Sequence, residues 1–289
     1  MIVHSENIKK LEDQIADLRH AADLSEGRLT GPNEIYQQIV TENCDCPTHG
    51  GYVGYRASVE IRGRALEKLS DCPACVRAEI DNAESDYSRA VTSALLKTAR
   101  IPPRFEHCEF SNFHPVTSKA EEVASIVSAY TDAWPSMSKA GTGLVLCGKP
   151  GTGKNHLAIA LAKTLIRKHH ANVLLTSVMR MIRAFKRTWS RSGDFTENEL
   201  IGMYTDCDLL IIDEVGVQYG TNAEQVVLFD IINTRYENMM PTVLISNLTP
   251  AQISEAIGER LTDRMSESDG AVLVFDWDSY RTQKGVVTE

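Results

Sequence analysis

The chain has 289 residues, of which 43% are hydrophobic and 24% are charged. At roughly 150 residues per domain, this length predicts about two domains, and the composition excludes a mostly disordered or fibrous protein. The longest apolar runs, such as residues 209–212, are far too short to cross a bilayer, and no apolar block follows the polar N-terminus. Seven cysteines in such a chain favour free thiols or a metal site over disulfides, and we expect a cytoplasmic protein that does not engage a membrane.

The charge is acidic overall and unevenly distributed. Thirty Lys plus Arg against 39 Asp plus Glu give a formal net charge of −9, so any contact with nucleic acid has to be local. Residues 133–193 contain no Asp or Glu and 11 Lys or Arg. This stretch predicts a basic surface, although a phosphate-binding loop and its helix would avoid acidic residues in any case.

The N-terminal segment predicts a helix over residues 5–26. Ser5 is a suitable N-cap, and apolar residues recur at steps of three and four, at Ile8, Leu11, Ile15, Leu18 and Ala22. The seam covers only two heptads, which is too short to indicate a coiled coil. The helix therefore either packs on its own domain or binds a partner or a second copy of the chain.

Four cysteines between residues 41 and 78 indicate a metal site. Cys46 and His49 form a C-x₂-H pair, and Cys72 and Cys75 form a C-x₂-C pair, which together suit tetrahedral zinc. Cys44 is the alternative fourth ligand, but His49 is separated from Cys46 by two residues, which is the normal spacing of a paired zinc ligand (a zinc knuckle). Unmetallated cysteines are the other alternative. Four protein ligands leave no open position for chemistry, so we expect a structural zinc ion.

The rest of the chain predicts an α/β domain. A helix over about 76–99 is ended by Pro102 and Pro103. Five short apolar runs separated by helical patterns predict strands at residues 143–147, 173–177, 209–212, 243–246 and 271–275. Strands with helical crossovers form a parallel sheet. We expect four segments: an N-terminal helical segment (1–40), a zinc-binding module (41–78), a linker helix (79–100) and a C-terminal α/β domain (101–289).

A glycine-rich loop follows the first of these strands, and a helical pattern follows the loop over residues 155–169. Strand, loop and helix in this order predict a P-loop, in which backbone N–H groups and the helix N-terminus bind phosphates and Lys154 places a charge at the β- and γ-phosphates. The expected ATP-binding residues are Gly148, Lys149, Pro150, Gly151, Thr152, Gly153, Lys154, Asn155 and His156.

Asn155 departs from the usual P-loop pattern, because Ser or Thr normally supplies a hydroxyl for Mg²⁺ at this position. An amide oxygen can bind the ion or its water, but the substitution leaves magnesium affinity and turnover open.

Polar residues at the ends of two later strands complete the predicted site. Asp213 and Glu214 follow a buried apolar run. We expect Asp213 to hold Mg²⁺ directly or through water, and Glu214 to polarise the attacking water. Asn247 follows the next apolar run and is expected beside the γ-phosphate.

Four motifs, GKPGTGKNHLA, LLIIDEVGVQ, GERLTDRM and FDWDSYR, resemble those of the DnaC-type helicase loaders, a branch of the AAA+ ATPases. The likeness covers roughly residues 101–284, includes the segment IPPRFEHCEFSNF, and extends to Asn155, because this branch carries GKN. It implies an AAA+ fold and a ring- or spiral-forming ATPase. Such an ATPase binds the DnaB-type replicative helicase, opens it and places it on single-stranded DNA. Similar zinc modules precede the ATPase in some phage-borne relatives.

The resemblance also assigns two arginines. Arg264 matches the arginine finger that reaches a neighbouring subunit's nucleotide, and Arg281 matches the sensor arginine that contacts the γ-phosphate in cis. A guanidinium suits both roles because it neutralises charge on the transferring phosphate. Arg260 lies four residues before Arg264 and is the competing finger.

A basic helix is predicted over residues 178–190. In replication initiators and loaders, a helix inserted here contacts single-stranded DNA. We expect the DNA-binding residues to be Arg183, Lys186, Arg187 and Trp189, with Met181, Ile182 and Phe185 forming plain core.

Three other functions compete with the loader. The nearest is an ATPase partner of a transposase, as in the IstB relatives. A P-loop phosphotransferase would need an arginine-rich lid, for which the tail after Phe275 is short. A non-hydrolysing adaptor is disfavoured by Glu214. The N-terminal hundred residues depart from the best-known loaders, so helicase engagement there is inferred from position alone.

Overall fold

The computed structural model describes residues 6–189, 195–216, 222–266 and 270–280, without the side chains at 189, 222–224, 260–262 and 266. The chain divides into two compact units, Val3–Ser93 and Ala94–Glu289. Within the described ranges, every helix is too short or too polar to cross a bilayer.

The N-terminal unit combines helices with a small sheet. Its elements in chain order are α1 (Glu6–Ser25), β1 (Gln38–Cys46), β2 (Gly50–Ile61), β3 (Arg64–Leu69) and most of α2 (Pro73–Thr98). Both predicted helices are confirmed to within three residues. The strands form an antiparallel sheet in the order β1-β2-β3, with Cys46 opposite Gly50 and Arg56 opposite Leu69.

The sequence did not predict this sheet. Its burial is partial: Ala57 and Val59 of β2 are buried on one face and Cys46 and Gly54 on the other, whereas all six residues of β3 are exposed. Without a buried face, β3 lacks the alternation of apolar and polar residues that identifies a strand.

The C-terminal unit contains a parallel sheet with helices between its strands. The strands are β4 (Leu144–Gly148), β5 (Val173–Ser177), β6 (Leu209–Asp213), β7 (Thr242–Ile245) and β8 (Ala271–Phe275). The helices are α3 (Ser118–Asp132), α4 (Trp134–Ala140), α5 (Lys154–His169), α6 (Val178–Trp189), α7 (Glu197–Thr205), α8 (Asn222–Glu237), α9 (Pro250–Ile257) and α10 (Glu259–Ser266). The strand order is β5-β6-β7-β4-β8 and every pair is parallel, which confirms the predicted five-stranded α/β fold.

Burial explains why these strands were predictable. Every residue of β4 and β7 is buried, as expected of a parallel sheet covered on both faces, so each strand is a continuous apolar run. In such a sheet all strand carboxyl ends lie at one edge, and β4 and β6 therefore bring Gly148 and Asp213 to the same edge.

A fully buried arginine joins α7, α8 and β7. The Arg235 guanidinium donates hydrogen bonds to the carbonyl oxygens of Tyr204, Thr205 and Cys207 at 3.0, 3.0 and 2.8 Å. It also donates to Pro241 O at 2.6 Å and Thr242 Oγ1 at 3.1 Å. Burial lowers the pKa of Arg235. These bonds satisfy carbonyl groups that the end of α7 leaves without helical partners.

We expect Arg235→Met to lower the free energy of unfolding by about 3 kcal/mol or more, because several buried carbonyl groups lose their donor. Arg235→Lys keeps three donors and should cost less. Urea denaturation measures both changes. Equal stability of Arg235→Met and the parent would contradict this role.

Candidate nucleotide site and metal centre

The loop between β4 and α5 has the backbone of a phosphate-binding loop. Gly151 and Gly153 have φ angles of +77° and +99°, which favour glycine, and a Cβ on Gly151 would overlap Ser279. Gly153 is the N-cap of α5 and offers no side chain to the first N–H groups of the helix. These donors therefore point into the loop, where phosphate oxygens can accept them.

Lys154 lies beneath this loop. Its side chain is buried, and its Nζ donates to Gly148 O at 2.8 Å and Lys149 O at 2.6 Å. The loop thereby holds the ammonium group in the cleft, next to the backbone that the sequence predicts to bind phosphates.

The segment after β8 supports the loop from the other side. Phe275 O accepts from the backbone N–H of Lys149 at 2.8 Å, and Trp277 Nε1 donates to Thr152 O at 3.1 Å. Backbone N–H of Tyr280 donates to Gly151 O at 3.0 Å. The FDWDSYR motif predicted a role for Arg281 alone, which lies outside the described residues, and its spacing gave no signal for this support of the loop.

Asp213 and Asn155 meet at the carboxyl edge of the sheet. Asp213 Oδ2 accepts a hydrogen bond from Asn155 Nδ2 at 2.7 Å, and Oδ1 accepts from the backbone N–H of Glu214 at 2.7 Å. Burial raises the pKa of Asp213 although both hydrogen bonds oppose it. Glu214 is exposed and its φ is +61°, a left-handed conformation that is sparsely populated and typical of functional sites.

Ten of the predicted site residues line one cleft. Its volume is about 490 Å³, within the range that binds small ligands. Lining residues that the sequence predicted are Pro150, Gly151, Thr152, Gly153, Lys154, Asn155, His156, Asp213, Glu214 and Asn247. Gly148 and Lys149 do not line the cleft. Their carbonyl oxygens accept hydrogen bonds from Lys154 Nζ.

The segment before α3 forms a second wall of the cleft, for which the sequence predicted no role. Its lining residues are Arg104, Phe105, His107, Cys108, Asn112, Phe113, His114 and Val116. His156 packs edge-on against Phe113, with the ring centroids 5.4 Å apart, and burial lowers the pKa of His156. Aromatic and apolar side chains opposite a phosphate loop suit a nucleotide base.

Buried Lys163 of α5 fixes this wall. Its Nζ donates to the carbonyl oxygens of Glu106 and Cys108 at 2.5 and 3.0 Å and pairs with the Glu109 carboxylate. Burial alone would raise the pKa of Glu109, but hydrogen bonds from Lys163 and Arg167 outweigh it and leave the pKa lowered. Lys168 pairs with Asp132 at 2.9 Å. Lys163, Arg167 and Lys168, three of the 11 basic residues of the acid-free stretch, therefore pair with acids outside that stretch.

The cleft also fits magnesium. The carboxylate of Asp213 and the amide of Asn155 provide oxygen atoms of the kind that Mg²⁺ prefers, and both residues line the cleft beside Lys154. When bound, the ion would neutralise charge on the phosphate oxygens.

The predicted finger is not part of this cleft. Arg264 lies against α8, where its guanidinium donates to Asn233 Oδ1 and its Cζ is 4.7 Å from the Tyr236 ring centroid. The side chain of the competing Arg260 lies outside the described residues.

Helix α6 has two distinct faces. Met181, Ile182 and Phe185 are buried in the core, as predicted. The opposite face exposes four basic residues, Arg180, Arg183, Lys186 and Arg187. The side chain of Trp189 lies outside the described part of the chain.

The N-terminal unit gathers the predicted metal ligands. Cys46, His49, Cys72 and Cys75 place their ligand atoms within 4.8 Å of one another. The Cys46 and Cys75 Sγ atoms are 3.6 Å apart, and His49 Nδ1 is 3.6, 3.7 and 3.3 Å from the three sulfurs. Tetrahedral zinc bonds of about 2.0 to 2.3 Å imply similar ligand separations, of about 3.5 to 3.8 Å.

Local structure prepares this cluster for a metal. Cys46 ends β1, His49 lies in the turn to β2, and Cys72 and Cys75 lie at the start of α2. Backbone N–H groups of Thr48 and His49 lower the pKa of the Cys46 thiol to about 6, which favours the thiolate that metals bind. Cys44 lies outside the cluster, and its Sγ is 3.7 Å from Glu42 Oε1.

Comparison with known proteins agrees with this geometry. A sequence profile described as IstB-like ATP binding protein matches residues 86–286. The replicative helicase loader DnaC of Escherichia coli K12 is 32% identical over 183 residues, covering 63% of this chain and 73% of that protein. The DnaC of Buchnera aphidicola (Baizongia pistaciae) is 33% identical over 187 residues, covering 65% and 74%.

Solved structures show the same fold. The crystal structure of the DnaC helicase loader superposes with a TM-score of 0.55 at 20% identity, covering 61% of this chain and all of that one. DnaI superposes with a TM-score of 0.51 at 18% identity, covering 62% and 94%. The P-loop and the acidic end of β6 line one cleft on this fold, and the family profile matches residues 86–286. The chain therefore belongs to the IstB-like ATP-binding protein family and is an AAA+ ATPase.

Proposed function

We propose that the chain is a helicase loader, which in its ATP-bound state binds a DnaB-type replicative helicase and delivers it onto single-stranded DNA. The observation that carries this proposal is the nucleotide cleft in a chain 32% identical to proteins named replicative helicase loader DnaC. Hydrolysis would act as a switch that releases the loader, with Glu214 orienting the attacking water and Lys154 holding the phosphates.

A loading assay tests this function. Single-stranded DNA coated with single-strand-binding protein is mixed with the host replicative helicase, and unwinding of an annealed oligonucleotide is followed with ATP. We expect unwinding only when this protein is added. Unwinding that is independent of the protein would contradict the proposal.

An ATPase partner of a transposase is the second candidate, because the matching profile is named for IstB. It would bind its transposase and not the helicase. The FDWDSYR segment and basic α6 favour the loader.

Helix α6 would supply the DNA contact. Arg183 and Arg187 lie one turn apart on its exposed face, where phosphates can reach them, and Lys186 lies beside them. Trp189 would add a stacking surface.

We expect Arg183→Glu with Arg187→Glu to weaken binding of a fluorescent single-stranded oligonucleotide by about tenfold or more, because two phosphate contacts become repulsive. Anisotropy at two salt concentrations measures the change. Lys97→Glu with Lys139→Glu is the charge-matched control, because both lysines are exposed and lie outside α6 and the cleft. Equal affinity of the α6 variant and the parent would end this hypothesis.

Self-association into a ring or spiral would complete the site. Arg264 contacts α8 and does not line the cleft of its own chain, so a catalytic role for it would have to be exercised on the nucleotide of a neighbouring subunit. Arg281 would contact the γ-phosphate in cis.

The expected result is an ATPase rate per chain that rises steeply with protein concentration, because each cleft needs a neighbour's arginine. Arg264→Ala should remove that rise. A flat dependence in the parent protein would exclude the finger in trans.

We also propose that Cys46, His49, Cys72 and Cys75 bind one structural zinc ion. The thiolate and imidazole donors and their separations support zinc over magnesium or calcium. The N-terminal unit, which contains this cluster and α1, is the proposed contact for the helicase.

A further inference from the structure

Asn155, which replaces the usual Ser or Thr of a P-loop, contacts Asp213, and this contact indicates what Asn155 does in the site. In most P-loops a Ser or Thr hydroxyl occupies this position. A hydroxyl has one hydrogen to donate and lone pairs to offer, so a single oxygen can both hold a neighbouring carboxylate and ligate Mg²⁺. The nucleotide site described above requires both tasks, and the inference rests on that site and not on helicase loading.

The amide of Asn155 is oriented by its partner. Its Nδ2 donates to Asp213 Oδ2 at 2.7 Å. An ionised carboxylate only accepts hydrogen bonds, so the NH₂ group has to face Asp213, and the carbonyl oxygen Oδ1 is on the other side of the planar amide.

The carboxylate is fixed as well. Asp213 Oδ1 accepts from the backbone N–H of Glu214 at 2.7 Å, so each of its oxygens has one donor. Each oxygen keeps a second lone pair. Both residues line the cleft beside Lys154.

We propose that the two amide atoms of Asn155 replace the two functions of the usual Ser or Thr hydroxyl. Nδ2 positions the Asp213 carboxylate, and Oδ1 binds Mg²⁺ or a water molecule bound to it. Asn155 is thus a positioning residue for Asp213 and a metal ligand at the same time. A residue that merely covered Asp213 would instead compete with the ion for the carboxylate.

Magnesium dependence of nucleotide binding separates these roles without reference to turnover, helicase or DNA. A fluorescent ATP analogue is bound to the full chain at increasing MgCl₂, and binding in EDTA reports whether each variant retains its P-loop. We expect Asn155→Ala to raise the half-saturating Mg²⁺ concentration by about tenfold while binding in EDTA stays near the parent value, because a charge-assisted hydrogen bond and an oxygen ligand are both lost.

Asn155→Ser is the matched control, because it restores a hydroxyl. Its half-saturating Mg²⁺ concentration should lie within about twofold of the parent. An unchanged concentration in Asn155→Ala, or a lowered one, would overturn the proposal, the second by showing that Asn155 competes with the ion. Should Asn155→Ala fail to fold, a shift of tenfold or more in Asn155→Ser would overturn it as well.

Discussion

Glu214→Gln is expected to lower the ATP turnover of this protein by about a hundredfold or more, because an amide cannot accept a proton from the attacking water. Glu214 is exposed at the end of β6, beside Asp213 and opposite the P-loop. Nucleotide binding should change by less than about threefold, because Lys154 and the loop N–H groups that bind the phosphates are untouched. Phosphate release and binding of a fluorescent ATP analogue measure the two effects.

Glu255→Gln is the control for the Glu214 variant, since it removes one exposed carboxylate of α9 that does not line the cleft. It should leave turnover unchanged. Turnover of Glu214→Gln within tenfold of the parent would remove Glu214 from the catalytic role.

Chelation of the proposed zinc ion is expected to unfold the N-terminal unit. The sheet there is small and β3 is fully exposed, and the cluster joins the β1–β2 turn to the start of α2. Structural zinc contributes on the order of 10 kcal/mol in small modules. We expect one zinc per chain in freshly purified protein, and rapid proteolysis between residues 40 and 75 after chelation.

Two variants assign the ligands. Cys72→Ser should lose the zinc and share the protease sensitivity of the chelated protein. Cys44→Ser should retain stoichiometric zinc, because Cys44 lies outside the cluster. Protein purified without stoichiometric metal would exclude the site.

The parts of the molecule that sequence predicted have contiguous signals. The buried strands of the parallel sheet are unbroken apolar runs, and the P-loop is a single motif between a strand and a helix. The two knuckle pairs also carry their spacing in the sequence. For these elements, local pattern and final environment agree.

The parts that it missed depend on contacts between distant residues. The second wall of the cleft is fixed by Lys163 on Glu109, and the P-loop is supported by Trp277 on Thr152. The spacing of residues in the sequence does not indicate which distant residue each of these side chains contacts. Asn155 illustrates the same point, since its departure from the motif was visible but its bond to Asp213, 58 residues away, was not.

Binding of this ATPase to a replicative helicase can be measured by light scattering on a sizing column. The full chain is mixed with the host replicative helicase, ATP and magnesium, and compared with each protein alone. We expect a co-eluting complex of defined stoichiometry. Two separate peaks, with this protein still binding ATP, would contradict it and favour the transposase partner.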